Sequence, residues 1–123
     1  MPERFFAFQH DPEAIGNGEY TVFDDESGGG NTSLLDHSRM VTIKLDLTAK
    51  VATLVKSINQ PEGLMATAEG NAQTTRNGDL LVGWGSLGYI SEFSPSGRLL
   101  FNAELPDNAA TYRAYRLPWH PAS

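Results

Sequence analysis

Apolar and polar positions change places along this chain with the period of a β-strand. Residues 38–47 set Val41, Ile43 and Leu45 against Met40, Thr42 and Lys44, a strand with one face buried. Residues 80–84 and 89–93 are apolar runs too short for helices, and glycine or proline closes each. Asn77-Gly78 marks a hairpin, because both central positions of a type I′ turn need positive φ, and Pro95-Ser96-Gly97 marks the next turn. Together these signals predict a four-stranded antiparallel sheet with strands near 64–74, 79–84, 88–93 and 98–105.

The same pattern stands earlier in the chain. Gly18 lies 60 residues before Gly78, and Asn17-Gly18-Glu19-Tyr20 matches Asn77-Gly78-Asp79-Leu80. Further on the offset falls to 48, and an insert over 25–37, with Gly28-Gly29-Gly30 inside it, accounts for the change. That insert reads as a surface loop. The first copy is then a strand over 4–9 continuing through His10-Asp11, followed by strands over 19–24, 38–47 and 51–58. Repeats of roughly 40–50 residues with four strands each are the mark of β-propeller blades. The expected fold is all-β, a single domain over 1–123. It holds two four-stranded antiparallel β-propeller blades, about 4–58 and 64–105, and one extra strand at about 111–117. A ring needs at least about four blades. Such a partial propeller is therefore a piece of a longer one, or completes itself by self-association.

Charge and composition narrow the partners. A net charge of −6 with singly scattered basic residues argues against nucleic acid and anionic membrane surfaces. No apolar run reaches transmembrane length. With no cysteine there is neither a disulfide nor a thiolate metal site, and the compartment stays open. The first residues lack the basic and apolar regions of a signal peptide.

With its motifs in order, the chain resembles the C-terminal part of an arylsulfotransferase propeller. The resemblance rests on Phe8-Gln9-His10-Asp11, Asn17-Gly18, Phe23-Asp24-Asp25 and Ser38-Arg39 in the first copy. Downstream it rests on Gly70-Asn71-Ala72-Gln73, Leu81-Val82-Gly83-Trp84-Gly85, Ser91-Glu92-Phe93-Ser94-Pro95-Ser96-Gly97 and Tyr112-Arg113-Ala114-Tyr115-Arg116-Leu117-Pro118-Trp119. It implies a roughly six-bladed ring with a central channel, sulfuryl transfer from a phenolic sulfate ester to a phenol through a sulfated histidine, and no nucleotide sulfate donor or other cofactor. It also implies a secreted or periplasmic parent protein. His10 corresponds best to the histidine, while the family's N-terminal blades have no counterpart here. Many relatives carry the fold with no shown activity, so a non-catalytic ligand- or protein-binding module and an inactive fragment stand as alternatives.

The first strand of each blade lines a propeller channel, which would bring His10, Asp11, Asn71, Gln73, Arg113 and Arg116 together. An imidazole can attack sulfur. Arg113, Arg39 and Asn71 are the candidates to hold the sulfuryl oxygens. Strand neighbours point to opposite faces, so Asp11 is not expected to orient His10. Each has a plainer reading: His10 as a rim histidine with one structural bond, Arg39 as a blade-stabilising arginine. Asp36-His37-Ser38 resembles a triad only in sequence, because a triad is defined by geometry. Asp24-Asp25-Glu26 reads as a solvated acidic loop, lacking the oxygen spacing of a calcium site. Asn31-Thr32-Ser33 is a glycosylation sequon that matters only in a secreted protein. Trp84, Tyr89, Phe93 and Phe101 are expected between blades.

Overall fold

The computed structural model describes residues 6–27 and 35–120. Two four-stranded antiparallel meanders account for all its strands. The first contains β1 (Gln9–Gly16), β2 (Glu19–Asp24), β3 (Arg39–Asp46) and β4 (Val51–Asn59), paired in that order. The second contains β5 (Asn71–Thr74), β6 (Leu80–Gly83), β7 (Tyr89–Phe93) and β8 (Leu99–Glu104), again in sequence order. A short 3-10 turn, Pro106–Asn108, follows. Among the described residues no helix is long and apolar enough to cross a membrane.

The main core lies between the sheets. Phe23, Met40 and Ile58 from the first meet Ala72, Val82, Trp84 and Phe93 from the second. Trp84 is fully buried, with Phe23 edge-on at 5.6 Å and Phe93 at 6.5 Å. Its indole N–H donates to Ser91 Oγ at 2.8 Å, and the Ser91 hydroxyl donates to Asn102 Oδ1 at 2.7 Å. An unpaired indole N–H at this depth would be costly. On the outer face of the first sheet Val22, Val41 and Ile43 form a second cluster with Phe6, Tyr20 and Leu45. Tyr89 packs against the main core as expected, but Phe101 does not. Its pairing with Glu92 puts it on the opposite face from Trp84, where it stays half exposed.

Local departures from the expected strands have physical causes. Asn17 and Gly18 both take positive φ (53° and 74°), as a type I′ turn requires. Asn77-Gly78 forms a different turn, in which only Gly78 is positive (88°) and Thr75 closes the loop by accepting from Gly78 N–H and donating to Asp79 C=O. Phe6, Ala7 and Phe8, expected in a strand, are not in one: Ala7 is tied to Asp24 and Glu26 instead. The rest of that predicted stretch, and the Gly28-Gly29-Gly30 and Asn31-Thr32-Ser33 motifs, lie outside the described residues. The extra strand at 111–117 reduces to one antiparallel bridge, Gly85–Thr111. Beyond it Gly70 N–H donates to Tyr112 C=O at 3.3 Å, and the segment then runs past the outer face of the second sheet, with Ala114 beside Gly83 and Arg116 on Glu92. Side chains hold it in place of a ladder: Asn71 bonds Ala114, and Gln73 bonds Arg116.

Candidate functional site

The site begins with an irregularity in β1. His10 pairs with Phe23 and Glu13 with Thr21, so Asp11 and Pro12 together face Val22, a β-bulge with Asp11 at φ 49°. On a regular strand His10 and Asp11 would point to opposite faces. The bulge leaves both lining a cavity of about 260 Å³, together with Glu69, Gly70, Tyr112 and Arg113. Gly70 sits at φ +109°, and a Cβ there would come within 2.6 Å of the Phe23 ring, so only glycine lets the chain enter β5 over the core.

Asp25 is the residue that holds His10. His10 Nε2 and Asp25 Oδ2 are 2.9 Å apart, with the carboxylate side chain 2% and the imidazole 41% exposed. Asp25 is itself fixed, since its Oδ1 accepts from Ser27 N–H at 3.1 Å and its backbone carbonyl accepts from Ser38 Oγ at 2.7 Å. Ser38 Oγ in turn accepts from Ala66 N–H at 2.7 Å. The acidic run is therefore not a solvated loop: Asp24, Asp25 and Glu26 are all buried, because each has donors waiting in the fold. Asp24 accepts from Ala7 N–H at 3.0 Å and from Arg39 Nε at 2.8 Å. Burial nevertheless pushes its acid up to about 6, against the pull of Arg39 and Ala7, with Glu26 adding repulsion. Glu26 accepts from Leu35 N–H at 3.3 Å.

Across the cavity, Arg113 Nη1 lies 2.9 Å from Asp11 Oδ1 and donates to Tyr115 Oη at 3.2 Å. The hydrogen bond to Tyr115, then the charge of Asp11, raise the pKa of Arg113. Burial first, then Asp11, raises that of Glu13 beside them, while Arg113 opposes the shift.

Of the four residues singled out in the sequence, His10 and Arg113 line one cavity, and Arg39 and Asn71 do not. Arg39 lies on Asp24. The Asn71 amide donates to Ala114 C=O at 2.9 Å and accepts from Ala114 N–H at 2.7 Å, so both its groups are engaged. Arg116 forms a two-pronged pair with Glu92 at 2.7 Å on each oxygen, and that fork holds the Glu92 acid below its usual range. Asp36-His37-Ser38 makes no relay, since His37 meets its neighbour Asp36 at the surface while Ser38 turns to Asp25. Asp11 does not orient His10, as expected, but the residue that does, Asp25, has to be found through pairing. In the observed register His10 pairs with Phe23, and Asp25 lies two residues beyond that partner, an offset created by the β1 bulges that the sequence does not announce.

No curated protein and no solved structure matched the chain. The family model for Arylsulfotransferase (ASST) matches residues 1–105, which takes in both sheets and the His10–Asp25 pair. The chain belongs to the arylsulfotransferase family.

Proposed function

We propose that the two sheets are neighbouring blades of a β-propeller and that the chain carries part of a sulfuryl-transfer site, moving the group from a phenolic sulfate ester to a phenol through His10. The observation that carries this reading is the His10–Asp25 pair at the wall of a cavity that Arg113 also lines. With Asp25 ionised, the shared proton sits on Nε2, and Nδ1 keeps the lone pair. Nδ1 attacks sulfur: the N–S bond forms, the aryl S–O bond breaks, and the departing phenolate takes a proton from solvent. The ring becomes cationic, and the buried Asp25 carboxylate supplies its countercharge. A phenol oxygen then attacks the same sulfur, the N–S bond breaks, and the phenol proton is released.

Arg113 offers the sulfuryl oxygens the rest of its fork, since its contacts to Asp11 and Tyr115 both run through Nη1. Asn71 and Arg39 act from behind the site in this reading. Asn71 anchors the segment that carries Arg113, and Arg39 secures the end of β2 next to Asp25. The test is to incubate the chain with 4-nitrophenyl sulfate, digest it under non-acidic conditions and map the sulfo group by mass spectrometry. The adduct is expected on His10 and absent from His10→Ala. Nitrophenol release that is unchanged in His10→Ala would remove the histidine from the mechanism.

A further inference from the structure

Asp11 presents a group that the transfer onto histidine does not use. Its side chain is 6% exposed, Oδ1 meets Arg113, and Oδ2 is buried with no hydrogen-bond partner. Buried carboxylate oxygens are almost always satisfied, so an unmatched one on a residue that lines a cavity calls for a donor from outside. The rest of the lining makes the same demand. Glu69 adds a second carboxylate, and Glu13 stands close enough to Asp11 and Arg113 for both to shift its acid. The one guanidinium at the wall is already bridged to Asp11, and Asp25 holds the His10 Nε2. Such a wall favours a neutral hydrogen-bond donor over a second anion. Tyr112 supplies an aromatic side, with the Arg113 guanidinium 5.6 Å from its ring centre. At about 260 Å³ the space is smaller than the sites of drug-sized ligands and suits a single ring.

We propose that the Asp11 carboxylate receives the hydroxyl of the acceptor phenol, so that this cavity is the acceptor side of the site. The inference rests on the sulfuryl-transfer reading and adds a residue to its second half. As the phenol oxygen bonds to sulfur and the N–S bond to His10 breaks, the hydroxyl proton passes to Asp11 and from there to solvent.

The test uses the full chain and 4-nitrophenol, whose neutral and ionised forms absorb at different wavelengths. A carboxylate acceptor favours the neutral hydroxyl, so bound nitrophenol should ionise about one pH unit or more above free nitrophenol. Asp11→Asn should abolish that shift and weaken binding of the neutral phenol roughly ten- to hundredfold, the range for a hydrogen bond to a charged group. His10→Ala should keep the shift. If Asp11 merely positions Arg113, Asp11→Asn leaves the shift in place, and the proposal fails. It also fails if wild-type protein binds no nitrophenol, or binds it with the ionisation it shows in water, and that wild-type measurement decides even if the variant does not fold. Sulfation of His10 without the shift would overturn the Asp11 assignment alone. The shift without sulfation would overturn only the histidine reading.

Discussion

Asp24 is a buried acid held by an arginine and a backbone amide, and this has a consequence for stability. Its acid lies at about 6 in the folded chain against an ordinary 3.8, with burial as the main cause. A raised value means that the folded form holds the extra proton between those limits. The associated stability is complete below about pH 4 and is lost as pH rises through about 6. The span corresponds to at most about 3 kcal/mol, and solvent screening brings it lower. Denaturant unfolding at pH 4 and pH 7 should show this loss in the wild type, and Asp24→Asn should flatten it. An identical pH slope in the two proteins would contradict the assignment. At this scale the sequence was informative about residue type but not about environment. His10 and Arg113 stood out as chemistry-bearing residues. Asp24, Asp25 and Glu26 looked like solvent-facing charges, since nothing local to three adjacent acids announces that Ala7, Arg39 and His10 will supply partners from elsewhere in the fold.

Strand patterning was legible at the scale of elements, and the way segments attach to one another was less so. Alternation and turn residues placed β2, β3, β4, β6, β7 and β8 within a residue or so of their observed bounds. The β1 bulge escaped because it depends on cross-strand register, and the segment after the 3-10 turn escaped because it is held by side chains. Asn71 and Gln73, two apart on β5, share the outer face and present their amides to Ala114 and Arg116 in the manner of a strand edge. Asn71→Ala should therefore loosen the segment without unfolding the sheets. The loss of two buried hydrogen bonds is worth roughly 1–3 kcal/mol. Amide exchange at Ala114 should accelerate roughly ten- to hundredfold, with protection in β6 and β7 retained. Equal acceleration throughout would mean that Asn71 supports the whole domain.

At the scale of the molecule, two sheets share one core and leave apolar surface beyond it. Leu99, Leu100, Phe101 and Tyr115 are each about half exposed on or beside the second sheet. Under the propeller reading this is where a further blade packs, and two blades do not close a ring. Light scattering should give the mass of three chains if copies complete a six-bladed ring. The mass of one chain would assign the remaining blades to additional sequence and the full activity to that longer protein.

The cavity wall formed by Tyr112 and Arg113 is held by three fastenings, the Thr111–Gly85 bridge, the Gly70 N–H to Tyr112 C=O bond and the Asn71–Ala114 clasp. The pocket is thus complete only in the fraction of molecules in which these fastenings are closed. Apparent affinity for any occupant is the intrinsic affinity scaled by that fraction. Linkage runs the other way as well: a ligand that touches Arg113 shifts the fastening equilibrium and slows exchange at Ala114, a residue it never contacts.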